Sequence, residues 1–223
     1  MEALLEARAL SRRLADGRAI LNDVSLKIGP GHRIAVEGRA GSGKTLLLRA
    51  LAQLDPVDSG AIFWRGENVA DRDVPGYRRR VAYLAQTPAL VAGTVETNLR
   101  LPFSLAIYRE NSFDPEPCLA LLRRLGRDRS FLQQPVESLS GGERQIVALV
   151  RLLQLEPRVL LLDEPTASLD PETTARVQEI IRQWAESEAA GRAYTWVSHD
   201  ARQTGEVADR RLRMDRGILV EAP

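Results

Sequence analysis

The sequence predicts an α/β fold: a parallel sheet built from βα units, an antiparallel β portion ahead of it and a helical insert within it. Three observations predict this. A short apolar strand, Arg33 to Glu37, runs into a glycine-rich loop, Gly38 to Gly43, and then into a helix that starts at Lys44. Strand signals vanish between about Thr94 and Leu155, and the βα rhythm resumes at Val159. At 223 residues the chain suits one large domain or a core with an insert.

In chain order, Leu4 to Leu10 is a weak strand candidate, whereas Val24 to Ile28 (V-S-L-K-I) alternates strictly, as a half-buried strand does. The helix from Lys44 is expected to reach Leu54, where Asp55-Pro56 ends it. Ala61 to Trp64 reads as a strand after the turn Asp58-Ser59-Gly60, and Val81 to Leu84 as a buried strand. The insert consists of helical stretches broken at Pro102, Pro115, Pro117 and Pro135. After it come strand Val159 to Leu162, a helix from Pro171 to about Glu188, strand Ala193 to Val197, and two short strands near Leu212 and Ile218. There is no internal repeat.

Composition narrows the class. Hydrophobic residues at 44% and charged residues at 27% fit an ordinary globular domain and exclude disordered, collagenous and coiled-coil chains. Lys plus Arg is 31 against 30 acidic residues, so the net charge of +1 gives no field that would draw nucleic acid or an anionic membrane. Any anion site is therefore local. Cys118 is the sole cysteine, which excludes an intrachain disulfide and a cysteine-cluster metal site, and two histidines are too few for a histidine-based zinc site. No apolar run approaches the roughly 18 residues that span a bilayer. Glu2, Glu6 and Arg8 interrupt what would be a signal peptide, so the expected compartment is the cytoplasm.

Three motifs carry chemistry. Gly38-Arg39-Ala40-Gly41-Ser42-Gly43-Lys44-Thr45 fits the phosphate-binding pattern G-x-x-x-x-G-K-[ST] in its required place between strand and helix. Its glycines let backbone N–H groups curl round phosphate oxygens at the positive end of a helix. Lys44 is expected to reach the β- and γ-phosphates and the Thr45 hydroxyl to ligate Mg²⁺. Val159 to Glu164 is an apolar strand ending in two acids, which puts carboxylates at the C-terminal edge of a parallel sheet, where ligands collect. Asp163 is expected to hold Mg²⁺ through its water shell, and Glu164 to polarise the attacking water. Leu139 to Gln145 opens a helix with Ser140 and Glu143 at capping-box spacing. A capping box needs no double glycine, so Gly141 and Gly142 suggest a second close-approach surface for an anion.

With these motifs, and with Ser168-Leu169-Asp170 and Val197-Ser198-His199-Asp200 following in order, the chain resembles the ATP-binding cassette (ABC) family of nucleotide-binding domains over essentially its full length. The resemblance implies a RecA-like P-loop NTPase core with an N-terminal antiparallel β subdomain and an inserted α-helical subdomain. The core would be residues 1–87 and 156–223, and the helical subdomain residues 88–155 with the L-S-G-G signature. It implies ATP and Mg²⁺ as cofactors and ATP hydrolysis as the activity, powering transport through separately encoded membrane subunits on the cytoplasmic face of the inner (plasma) membrane. Gln86 matches the glutamine that links core and helical subdomain and takes part in catalysis and metal binding; His199 matches the γ-phosphate contact, and Asp170 the loop that crosses a dimer interface. Two copies would pair head to tail, Ser140 and Gly142 of one completing the site formed by Lys44, Glu164 and His199 of the other. Leu90, Val91, Phe103 and Tyr108 would either line a groove for a membrane subunit or fill the helical subdomain's own core.

Within the family the resemblance is to small stand-alone ATP-binding subunits of bacterial iron or metal exporters, through Gln86-Thr87-Pro88, Thr94 to Pro102 and Trp196 to Asp200. The rival is a soluble ABC ATPase without a transport role, such as an iron–sulfur cluster assembly factor. The chain departs from the family pattern twice. Ile146 stands where an Arg is common, and no aromatic residue precedes Phe63, so Leu14, or Arg13 beside it, occupies the position that usually stacks on adenine.

Overall fold

The computed structural model describes residues 2–71, 73–187 and 191–222. They divide into two units: residues up to Tyr83, Arg158–Glu164 and those from Ala185 onward form the first, and Leu84–Pro157 with Pro165–Trp184 form the second.

In chain order the elements are β1 (Leu5–Arg13), β2 (Ala19–Ile28), β3 (Arg33–Glu37), α1 (Lys44–Leu51), β4 (Ser59–Trp64), β5 (Glu67–Asn68), α2 (Val74–Arg80), β6 (Val81–Leu84), α3 (Val95–Arg100), α4 (Pro115–Arg124), α5 (Gly141–Leu153), β7 (Val159–Asp163), α6 (Pro171–Glu186), β8 (Ala193–Val197), α7 (Ala201–Val207), β9 (Arg210–Asp215) and β10 (Ile218–Glu221). One sheet has the order β2-β1-β4-β5 and the other β10-β9-β3-β8-β7-β6.

The first sheet is antiparallel, with Leu5 opposite Ile28 on one side and Trp64 on the other. Its first strand was hard to read because the alternation slips. Leu5, Ala7 and Leu10 are all buried, an odd step explained by a bulge at Ala9, whose φ is 51° and where both pairings shift register. Gly60 lies against the bulge; a Cβ there would meet the Ala9 carbonyl oxygen at 2.5 Å.

In the second sheet β3 runs parallel to β8 and β9, and β7 parallel to β8. Every residue of β7 and β8 is buried, which is why these strands read as near-continuous apolar runs. Leu47, Leu48 and Leu51 of α1 join Leu5, Leu10, Ile28, Ile34, Val36 and Leu161 in the core of this unit.

Helix α1 stops at Leu51, short of the expected Leu54. Gln53 adopts a left-handed φ of 57°, Leu54 N–H bonds Arg49 O and Gln53 N–H bonds Ala50 O, the double bond of a Schellman ending. Glutamine in the place usually held by glycine hid that stop. Pro115 and Pro117 start α4 rather than break it, since the first turn has no intrahelical N–H bonds to lose. Between Thr94 and Leu155 the described residues hold no strand, only an isolated bridge between Thr94 and Pro135. Helix α6 is described to Glu186, and the expected end at Glu188 lies outside the described residues.

In the second unit α3 and α4 pack on α5, whose Ile146, Val147, Leu149 and Val150 are buried. Ile146 is thus a packing residue. Tyr108 is buried against Phe103, with ring centroids 6.1 Å apart, whereas Val91 is exposed.

Candidate nucleotide site

The loop from Gly38 to Gly43 leaves β3 and enters α1 with positive φ at Gly38, Gly41 and Gly43. Two of these glycines are required by close backbone neighbours. A Cβ on Gly38 would sit 2.3 Å from Met214 O at the end of β9, and one on Gly43 2.4 Å from Ile20 O at the start of β2. Gly217 N–H also bonds Ser42 O.

Lys44 Nζ lies along the loop, donating to Gly38 O at 2.7 Å and Arg39 O at 3.0 Å. Burial lowers its pKa, and the nearby Glu164 and Asp163 oppose that by favouring the ammonium. Thr45 follows it, exposed, in the first turn of α1. Arg39 and Ala40, the variable loop positions, are exposed, whereas the Ser42 hydroxyl is buried with no hydrogen-bond partner among the described residues.

The two acids end β7 differently. Asp163, 2% exposed, accepts a hydrogen bond from the Tyr83 hydroxyl on Oδ2 at 3.0 Å, while Oδ1 is buried without a partner among the described residues. Glu164 turns out of the strand with φ 49°, its N–H held by Val197 O. For a non-glycine residue this backbone costs about 1–3 kcal/mol and persists only where surroundings enforce it. The turn brings both Glu164 carboxylate oxygens within 2.8–2.9 Å of His199 Nδ1. His199 itself is exposed, in the tight turn between β8 and α7, where Asp200 caps α7 through Arg202 N–H. Lys44, Asp163, Glu164 and His199, 155 residues apart at the extremes, are thus gathered at one sheet edge.

In the second unit Ser140 accepts from Glu143 N–H while its own N–H and hydroxyl donate to Glu143 Oε2, a complete capping box that holds the Glu143 carboxyl below its usual range. A Cβ on Gly142 would meet Ser168 O at 2.7 Å, so this glycine is needed for packing as well; at Gly141 a Cβ would make only ordinary contact with Ser168. Asp170 caps α6 through Thr173, which holds its carboxyl low. Gln86 is exposed, and Gln145, 2% exposed, donates to the carbonyl of Ala85 next to it. Sequence reasoning missed Gln145, Tyr83 and the fully buried Asn98, whose amide anchors Val91 and Thr94. Of the two adenine candidates, Arg13 has its guanidinium on Gly17 O at 3.0 Å and Leu14 exposes its side chain.

A glycine loop that feeds Lys44 and Thr45 into a helix, with carboxylates at the end of a parallel strand of the same sheet, defines a P-loop nucleotide-binding ATPase. The ABC transporter family model matches residues 21–167, and the chain belongs to that family as one of its ATP-binding, ATP-hydrolysing domains. It is 37% identical over 187 residues to the probable iron export ATP-binding protein FetA of Escherichia coli (strain K12), a match covering 84% of this chain and 81% of that protein. It is 38% identical over 223 residues to the sulfate/thiosulfate import ATP-binding protein cysA of Cucumis sativus, covering 96% of this chain and 61% of that protein. Its fold, RecA-like with an antiparallel sheet and helices, also matches an ATP-binding cassette solved in a dimeric post-hydrolysis state with ADP and phosphate, at a TM-score of 0.86, 23% identity, and coverage of 97% and 98%.

Proposed function

We propose that the chain is the ATP-hydrolysing subunit of a transporter, driving separately encoded integral membrane subunits by ATP-dependent head-to-tail dimerisation. The observation that carries this reading is the Glu164–His199 pair beside Lys44 at the sheet edge. Gly38 to Thr45 cradle the phosphates, with Lys44 moving its ammonium from the loop carbonyls to the β- and γ-phosphate oxygens. Glu164 accepts the proton of the attacking water, and His199 holds the carboxylate in place and contacts the γ-phosphate. Ser140, Gly141 and Gly142, with the Asp170 loop, act on the site of the second copy.

The residues fit Mg²⁺. Asp163 has a buried carboxylate oxygen without a partner among the described residues, and Thr45 adds a neutral oxygen, the kind of donor this cation takes. Bound there, Mg²⁺ neutralises charge on the β- and γ-phosphates.

Residues 88–155 serve as the helical subdomain and 1–87 with 156–223 as the core and β subdomain. The subunit sits on the cytoplasmic face of the inner membrane, held by its membrane partner; among the described residues no helix is long and apolar enough to cross a membrane. Metal export, iron in particular, is the transport reaction favoured by the relative named for iron export. A relative named for sulfate import is similarly identical, and the cargo is read here as set by the membrane subunit. Copurification from detergent-solubilised membranes tests the reading. A membrane protein recovered with the tagged chain supports it, and a soluble complex alone supports instead an ATPase of cluster assembly.

A further inference from the structure

Tyr83 lies on β6, beside β7 in the six-stranded sheet, and its side chain is half-buried. Its hydroxyl donates to Asp163 Oδ2 at 3.0 Å. Near it stands the Arg49 guanidinium, which grips Asp55 through two bonds of 2.7 and 2.8 Å. Arg49 belongs to α1, the helix that begins with Lys44 and Thr45.

We propose that Tyr83 is a positioning residue for the metal-holding carboxylate: by occupying Oδ2 it fixes the rotation of Asp163 so that Oδ1 alone is presented. Without the hydroxyl, both oxygens of a buried carboxylate would lack a partner, and the group would rotate or draw in water to satisfy them. The inference rests on the reading of Asp163 given above.

The test compares wild type, Tyr83→Phe and Asp163→Asn in the full chain, using a fluorescent ATP analogue as the probe. Affinity is first measured in EDTA, then Mg²⁺ is titrated at fixed analogue and the midpoint of the Mg²⁺-dependent change is read. In EDTA all three are expected to bind within about twofold of one another, which also shows that the variants are folded. Tyr83→Phe is expected to raise the Mg²⁺ midpoint about tenfold, the usual scale for losing a partner of a metal ligand, and Asp163→Asn to raise it further. A Tyr83→Phe midpoint like wild type, beside a shifted Asp163→Asn midpoint, overturns the role of Tyr83 alone. Weakening in EDTA as large as the Mg²⁺ shift overturns it too, as a packing effect. An unshifted Asp163→Asn midpoint overturns the reading of Asp163 and this inference with it.

Discussion

The phosphate-loop cluster and the L-S-G-G helix start, both proposed above to meet phosphate, are finished to different degrees. Around the loop two buried oxygens, Ser42 Oγ and Asp163 Oδ1, lack partners among the described residues, and Glu164 sits in a strained backbone conformation. At Ser140 the polar groups are matched among themselves by the capping box, and Asp170 is likewise matched by Thr173. Buried groups left without partners cost about 1–3 kcal/mol each, so the first region gains directly when a ligand supplies them. The second region is complete as local structure and offers a ligand only what it leaves exposed. Substitutions of the polar side chains in the first region should therefore hurt chemistry more than folding, and those in the second should separate folding from chemistry residue by residue.

The largest effect is expected at Glu164. Glu164→Gln keeps the shape, loses the proton acceptor and should slow hydrolysis by about 10²–10⁴-fold. ATP-bound dimers should then accumulate by mass action. Light scattering in Mg-ATP at tens of micromolar protein, a typical weak-interface range, reads this, and a variant that stays monomeric while wild type dimerises would remove Glu164 from its assigned role. Next comes the division of labour between the regions. Lys44→Ala and Ser140→Arg should each be inactive alone, while a mixture regains one composite site per heterodimer. A heterodimer shown to form but fully inactive counts against sites shared by two copies.

Smaller effects sharpen the contrast within the second region. Gly142→Ala forces a Cβ into the Ser168 carbonyl and should destabilise the fold by about 1–3 kcal/mol, whereas Gly141→Ala should be close to neutral in urea unfolding. Equal losses at the two glycines would show that packing does not distinguish them. The smallest shift concerns the base. With no aromatic residue ahead of Phe63, ATP and GTP should bind within about tenfold, a gap of roughly 1.4 kcal/mol, and Leu14→Tyr should tighten ATP. A strong ATP preference that survives both Arg13→Ala and Leu14→Ala in competitive titration would place the adenine site elsewhere.

The motifs proposed to contact phosphate were readable because their chemistry is local: Gly38 to Thr45 and Ser140 to Glu143 are contiguous, and each motif sits at the element boundary its spacing requires. The Glu164–His199 pairing was not readable from residue spacing, since it depends on Val197 and Glu164 meeting across neighbouring strands. Helices α2 and α7 escaped notice for lack of an apolar face, burying only Tyr77, and Thr204 with Val207. Their caps, Asp73 and Asp200, were the available signals. Tyr83 was invisible for another reason: a lone tyrosine in V-A-Y-L reads as an ordinary strand residue until β6 is known to lie beside β7.

The backbone walls behind Gly38 and Gly43 also shape what variation this loop can accept. Met214 O and Ile20 O close on the two glycines from different strands, so the curve of the loop is moulded by main chain elsewhere in the unit rather than by its own side chains. Arg39 and Ala40 hang outside that mould. A library randomised across the loop should therefore recover many residues at 39 and 40 and glycine alone at 38 and 43. Selection for folding without nucleotide should leave the same imprint, because the constraint at the glycines is geometry the protein imposes on itself before any phosphate arrives.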